Sequence, residues 1–204
     1  MAMTSDRLEV VIPADHVPGP KQGHWTYSHY AVLPDEGQRY EIVDGVLYMA
    51  PAPGRWHQNA VFEIASYLRT YVRLAGLGEV YIAPFDVQLT SNVVVQPDVI
   101  VVLNANLGKI NDSRIIGAPD LVVEVASPGT NTYDRRQKYD VYARAGVSEY
   151  WLADPGTRTV EVLHLENGKY QLLGIFKEQE MLLSKVVPDV SSVSVNLFFA
   201  PSGK

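Results

Sequence analysis

The chain has 204 residues, of which 47% are hydrophobic and 20% charged, and its 17 basic and 23 acidic side chains give a net charge of −6. These values indicate one globular domain, and they exclude gross electrostatic attraction to nucleic acid or to an anionic membrane as the main means of binding. The lack of cysteine excludes disulfides, thiolate catalysis and cysteine-ligated metal centres. No signal peptide and no apolar run of about 18 residues is apparent, so we expect a cytoplasmic protein that makes no membrane contact.

The first part of the chain predicts an arm followed by a hairpin. Residues 1–22 contain several prolines and have no clear hydrophobic period, which is typical of a mobile N-terminal arm. We expect a single domain over residues 23–204. Within residues 40–49, two short strands would meet at Asp44-Gly45, a dipeptide that favours a tight hairpin turn.

The middle of the chain predicts a helix and then three strands. Apolar residues recur at helical spacing over 57–75, and Gly76 follows as a candidate C-cap. The runs 80–89, 93–103 and 121–126 are strand-like. The last two runs are almost continuously apolar, as expected for a sheet that is covered on both faces.

The remainder predicts a second helix over 131–145, a short strand over 150–153 and a hairpin with its turn at Asn167-Gly168. Residues 190–199 would form a last strand or an irregular tail. Helices separated by groups of strands imply a mixed sheet with helices packed on it, in the α/β or α+β class.

Three charged residues stand where apolar ones are expected. Asp98 follows Pro97 inside a valine-rich run, Glu124 interrupts the strand 121–126, and Lys138 lies on the inward stripe of the second helix. Carboxylates are seldom buried without a partner, and a divalent cation removes the repulsion between two of them. The set therefore predicts metal-assisted phosphodiester hydrolysis, in which the lysine orients water or stabilises developing negative charge.

Each of these residues also has a structural explanation. Asp98 could cap the turn after Pro97, and Lys138 could lie at the surface or pair with Asp134. Glu124 could form a buried ion pair, and the candidate partners are Arg114, Arg135 and Arg136.

Several segments together resemble the Uma family, which is placed in the PD-(D/E)xK nuclease superfamily with a restriction-endonuclease-like fold. The resemblance covers roughly residues 25 to 175. It rests on the stretches 40–45, 96–99, 119–128 and 146–155, together with single residues that include His57, Asp134, Lys138 and Tyr142.

The resemblance implies an αβββαβ core, with a mixed central sheet flanked by helices and with added N- and C-terminal β-hairpins. It implies that Asp98 and Glu124 bind Mg²⁺ or Mn²⁺ and that Glu41 is an additional carboxylate. The superfamily lysine is expected two residues after Glu124, where this chain has Ala126, so Lys138 would supply the ammonium instead.

The resemblance also implies a DNA substrate and a homodimer. His57, Gln96 and Asp134 are candidates for residues that surround the ligands, and Arg135 and Arg136 for contacts with nucleic acid. Taken singly, His57 could be a core residue, and Glu41 could be exposed on the hairpin.

Two other functions remain open from the sequence. The first is an inactive nuclease fold that serves as a binding or assembly module, which the acidic net charge and the displaced lysine would fit. The second is a metal-independent hydrolase, such as a glycosidase, that uses two carboxylates as acid and base.

Overall fold

The computed structural model describes residues 11–34, 37–50, 52–127 and 137–199. Within these ranges the chain forms twelve strands in two six-stranded sheets. In chain order the strands are β1 (Ile12–Pro13), β2 (Arg39–Val43), β3 (Val46–Ala50), β4 (Gly78–Ile82), β5 (Asp86–Thr90), β6 (Val93–Val95), β7 (Val99–Leu103), β8 (Arg114–Ile116), β9 (Leu121–Val125), β10 (Glu149–Asp154), β11 (Thr159–Glu166) and β12 (Lys169–Lys177). The α-helices are α1 (Tyr27–Tyr30), α2 (Arg55–Leu68) and α3 (Tyr139–Ala145).

The second sheet, in the order β12-β11-β10-β9-β7-β4, contains the predicted core. The elements α2, β4, β7, β9, α3 and β10 follow one another in the αβββαβ order. Strand β7 pairs antiparallel with both β4 and β9, whereas β10 pairs parallel with β9, so the sheet is mixed as predicted. The predicted C-terminal hairpin, β11 and β12, extends this sheet.

The other sheet, in the order β1-β3-β2-β6-β5-β8, is larger than the predicted N-terminal hairpin that it contains. The hairpin turns at Asp44-Gly45, where both residues have positive φ (50° and 77°), a conformation that suits this dipeptide. Ile12 and Pro13 pair with β3, and the N–H of Ala14 donates to the carbonyl of Leu47. The predicted boundary between an arm and a domain at residue 22 stays a prediction.

Two of the predicted strand runs are each divided between the two sheets. The run 80–89 contributes β4 to one sheet and β5 to the other, and the run 93–103 contributes β6 and β7 in the same way. In the second run the chain crosses at Gln96-Pro97-Asp98, where Pro97 has no N–H for a sheet ladder. This crossing brings the loop before β7 close to β2.

Other predicted elements differ in their ends. Helix α2 begins two residues before His57, and a π-helical turn over Arg69–Arg73 continues it toward Gly76. The first part of the second predicted helix lies outside the described residues, and α3 ends at Gly146, whose φ of 88° suits glycine. Of the two alternatives for residues 190–199, the structure has the irregular one, with short 3₁₀ turns.

Helices α2 and α3 cover opposite faces of the second sheet. Ile64 and Leu68 of α2 pack with Val99 and Val123, whereas Val141 of α3 packs in a separate buried cluster with alternate residues of the same strands. Each fully buried aliphatic side chain contributes roughly 1.5–3 kcal/mol. Because successive side chains of a strand point to opposite faces of the sheet, the position of a residue in the strand decides whether it packs against α2 or α3. In the described part of the chain, no helix is both long and apolar enough to cross a membrane.

Candidate active site

Glu124 lies on the face of β9 that α3 covers. Its neighbours Val123 and Val125 belong to the cluster beneath α2, so the alternation of side chains directs Glu124 to the opposite face. There Lys138 Nζ lies 2.9 Å from Glu124 Oε1, and the hydroxyl of Tyr142 donates to the same oxygen at 2.5 Å. Lys138 and Tyr142 are four residues apart at the start of α3, the spacing that places two side chains on one side of a helix.

Glu41 comes from the other sheet and meets the same lysine. Lys138 Nζ lies 3.0 Å from Glu41 Oε1, which also accepts a 2.8 Å hydrogen bond from the backbone N–H of Gln96. Strand β2 pairs with β6 at Ile42 and Val94, and this pairing holds Glu41 beside the crossing between the sheets. One ammonium group thus joins carboxylates from both sheets.

Asp98 lies at the crossing itself. Its Oδ2 is 3.0 Å from Nε2 of His57, which is in the first turn of α2, and accepts a 2.8 Å hydrogen bond from the N–H of Val125. Burial alone would raise the pKa of Asp98. The hydrogen bond and charge of His57, the Val125 N–H and the charge of Lys138 together outweigh burial and hold this pKa below its usual value of 3.8.

The four predicted site residues are buried around one small cavity. Glu41, Asp98, Glu124 and Lys138 are 3%, 7%, 3% and 4% exposed, so Lys138 is not a surface lysine and Glu41 is not exposed on the hairpin. All four line a cavity of about 40 Å³, together with His57, Gln96 and Arg39. That volume exceeds the 10–15 Å³ or so that one water needs. The site therefore has room for small species such as an ion and water.

Arg114, one of the proposed ion-pair partners of Glu124, lies elsewhere. Its guanidinium donates to the side chains of Gln88 and Tyr27. The candidates Asp134, Arg135 and Arg136 lie outside the described residues. Gln96 is at the site, but its backbone rather than its side chain contacts Glu41.

Two residues at the site were not predicted from the sequence. Tyr142 binds Glu124 directly, and its pKa is raised well above its usual value by burial and by the charges of Glu124 and Glu41, so it acts as a hydrogen-bond donor. Its spacing from Lys138 could have indicated this contact. Arg39 is the second, and it lies two residues before Glu41 on the same face of β2. This spacing within a predicted strand is the only sequence signal that could have indicated its place at the site.

The carboxylate oxygens at the cavity are of the kind that suits a hard divalent cation such as Mg²⁺ or Mn²⁺. Asp98 accepts both of its hydrogen bonds at Oδ2. Its Oδ1 accepts no hydrogen bond from the described residues. The described residues contain no group of three or more His, Asp and Glu side chains already gathered as ion ligands. The donors have the right chemistry for a cation, whereas the ammonium of Lys138 now lies between two of the carboxylates.

Comparisons with known proteins agree with this description. Residues 27–196 match the model of the Uma2 family, whose description is "Putative restriction endonuclease". Among solved structures, the fold is similar to that of "a putative nuclease belonging to DUF820 from Anabaena variabilis ATCC 29413", with a TM-score of 0.70 and 21% identity over 86% of this chain and 97% of that chain. The two matches confirm the predicted family and the predicted restriction-endonuclease-like fold. A search of curated proteins gave no match.

Proposed function

We propose that this chain, which belongs to the Uma2 family, is an endonuclease that depends on a divalent metal and acts on DNA. Asp98 and Glu124 would hold Mg²⁺ or Mn²⁺, with Glu41 as an additional carboxylate beside them. A bound ion would neutralise the carboxylates and polarise the phosphate that is attacked. The cytoplasm as the site of action and a homodimer as the active form are also part of this proposal.

The observation that supports the proposal best is the position of Lys138. Its ammonium is buried within 3.0 Å of Glu41 and 2.9 Å of Glu124, in the cavity that Asp98 also lines. A purely structural ion pair needs one carboxylate, whereas this lysine serves two that come from different sheets. Among the described residues, the three carboxylates outnumber the two cations Lys138 and Arg39 that line this cavity, and such an excess of negative charge attracts a cation.

The residues of the chain have distinct tasks in the proposed hydrolysis. The oxygen of a water molecule forms a bond to phosphorus, and the bond from phosphorus to the leaving oxygen breaks. Lys138 orients the water and stabilises the negative charge that develops on the phosphate oxygens. His57 and the Val125 N–H fix the carboxylate of Asp98, and Tyr142 fixes that of Glu124. The proton of the water passes to solvent, and the leaving oxygen gains a proton.

The test is cleavage of supercoiled, linear and branched DNA with Mg²⁺ or Mn²⁺, with and without a chelator. We expect metal-dependent cleavage by the wild-type protein and a loss of at least about 100-fold in Asp98→Ala, as is usual when a group that stabilises the transition state is removed. Arg73→Gln is the matched control, because Arg73 pairs with Glu79 at the surface. Cleavage that is equal in Asp98→Ala, or that persists in chelator, would refute the proposal.

A second candidate function is a module that keeps the fold but binds rather than cleaves. The observation that favours it is that Glu41 and Glu124 both already have the ammonium of Lys138 as a partner, an arrangement that needs no metal. This alternative predicts no heat of Mn²⁺ binding in calorimetry and a melting temperature that is indifferent to Mn²⁺. A Mn²⁺ site that is lost in Glu124→Gln would exclude it.

A further inference from the structure

Arg39 is a second cation at the cavity, and the site predicted from the sequence does not include it. It lies two residues before Glu41 in β2, so the two side chains leave the strand on the same face, about 7 Å apart along it. Arg39 lines the same cavity as Asp98, Glu124 and Lys138. It is half-buried, whereas Lys138 is almost fully buried. Arg39 is thus the cation nearer to the solvent side of the site.

The guanidinium of Arg39 is held in place by neutral groups. Its Nε donates to Oε1 of Gln96, and its Nη2 donates to the backbone carbonyl of Gln96, both at 3.3 Å. Gln96 is itself fixed, because its amide nitrogen donates to Asp86 at 2.8 Å and to the hydroxyl oxygen of Tyr30 at 3.1 Å. These two bonds identify the amide nitrogen and turn Oε1 toward Arg39. The arginine is therefore oriented before any ligand binds.

Arg39 has no carboxylate partner in the described part of the chain, although three carboxylates line its cavity. Two other arginines differ in this respect, since Arg73 pairs with Glu79 and Arg144 pairs with Asp44. A guanidinium has more N–H donors than the two that Gln96 occupies. An oriented arginine that has spare donors, and no anionic partner among the described residues, is suited to an anion from outside the protein.

The geometry points to a backbone phosphodiester as that anion, and we infer that Arg39 binds the non-bridging oxygens of the DNA phosphate that enters the cavity. The planar guanidinium matches phosphate oxygens in a bidentate manner. Its charge offsets the repulsion between the incoming phosphate and the three carboxylates. The contact is to the backbone, so it adds affinity without reading the base sequence. This inference rests on the proposed function for the identity of the ligand.

The experiment measures DNA binding separately from cleavage. A labelled oligonucleotide duplex is titrated with each variant, and Kd is measured by fluorescence anisotropy at several salt concentrations. The buffer contains Ca²⁺, a hard cation that replaces the metals proposed to support cleavage. We expect Arg39→Gln to weaken binding by about 10- to 100-fold, the range for one hydrogen-bonded charged contact. We also expect the slope of log Kd against the logarithm of the salt concentration to decrease by the amount that corresponds to about one phosphate contact.

Two further variants make the result specific. Arg39→Lys keeps the charge but loses the planar fork, so its affinity should lie between those of the wild type and Arg39→Gln. It also replaces Arg39→Gln as the test if that variant does not fold. Arg73→Gln should bind as the wild type does, because Arg73 lies sixteen residues beyond His57 along a helical segment, about 24 Å away.

The possible outcomes separate this inference from the proposed function. If the wild type cleaves DNA but the Arg39 variants bind with the affinity and salt slope of Arg73→Gln, the inference is wrong and the nuclease proposal stands. If the Arg39 variants bind more weakly but no protein cleaves, the inference holds and the proposed reaction fails. A wild-type protein that does not bind the duplex in Ca²⁺ also overturns the inference.

Discussion

Replacing Lys138 by methionine should destabilise the protein strongly, because it leaves two buried carboxylates without their cation. Glu41 and Glu124 are each 3% exposed and share the ammonium of Lys138 at 3.0 and 2.9 Å. Removing one partner of a buried ion pair costs about 3–5 kcal/mol of unfolding free energy. For a chain of this length the corresponding fall in melting temperature is roughly 6–20 °C.

The control is the same substitution in an exposed ion pair. Lys185 lies 2.7 Å from Glu166, but both side chains are about half exposed. Lys185→Met should therefore change the unfolding free energy far less than Lys138→Met does. Urea unfolding followed by circular dichroism gives both values at the same pH. A Lys138→Met variant within about 1 kcal/mol of the wild type, and equal to Lys185→Met, would refute the account of the buried pair.

The same variant tests how the carboxylates meet a divalent cation. With Lys138 gone, Mn²⁺ can replace the missing charge, so Mn²⁺ should stabilise Lys138→Met more than it stabilises the wild type. A concentration about 100 times the Kd would add about 2.7 kcal/mol. Adding Glu124→Gln should remove this extra stabilisation. If Mn²⁺ stabilised the wild type and Lys138→Met equally, that result would contradict the idea that Mn²⁺ and the ammonium of Lys138 use the same carboxylate oxygens.

Three other substitutions have expected outcomes. The pKa of Asp98 is lowered in the folded protein, so its ionised form stabilises the fold at pH values above the usual pKa of 3.8. At about pH 6 the wild type should therefore be more stable to unfolding than Asp98→Asn. This difference in stability should be lost as the pH falls through the folded pKa of Asp98. Tyr142→Phe should lower the unfolding free energy by about 1.5–3 kcal/mol in urea, because the hydroxyl bonds to a charged carboxylate of Glu124. Glu149 is fully buried and accepts a hydrogen bond from Trp151 and others from residues 184–186, so Glu149→Gln should cost about 3 kcal/mol in urea while leaving cleavage per folded molecule unchanged. If Glu149→Gln lowered cleavage per folded molecule without lowering stability, that result would contradict a purely structural role for Glu149.

Local sequence signals predicted the elements whose geometry depends on neighbouring residues. The turns at Asp44-Gly45 and Asn167-Gly168 were predicted because few other residues accept positive φ at both positions, and all four have it in the structure. Charged residues inside apolar strands identified Asp98 and Glu124, since burial of a carboxylate is costly unless it is compensated.

Long-range pairing could not be predicted in the same way. The run 93–103 is apolar on both sides of Gln96-Pro97-Asp98, so its composition does not show that β6 and β7 belong to different sheets. Arg39 was missed for the same reason. Its place at the site depends on the pairing of β2 with β6, which joins residues that are far apart in the sequence. Lys138 was found because helical spacing, a local signal, placed it on the inward side of its helix.

The most direct measurement is the anomalous difference map of a crystal soaked in Mn²⁺. If Asp98 and Glu124 hold the cation, the map has one strong peak in the cavity, at about 2.0–2.2 Å from carboxylate oxygens of both residues. A map with no peak there, or with Mn²⁺ bound only by other residues while Lys138 stays between Glu41 and Glu124, would contradict the proposed metal site.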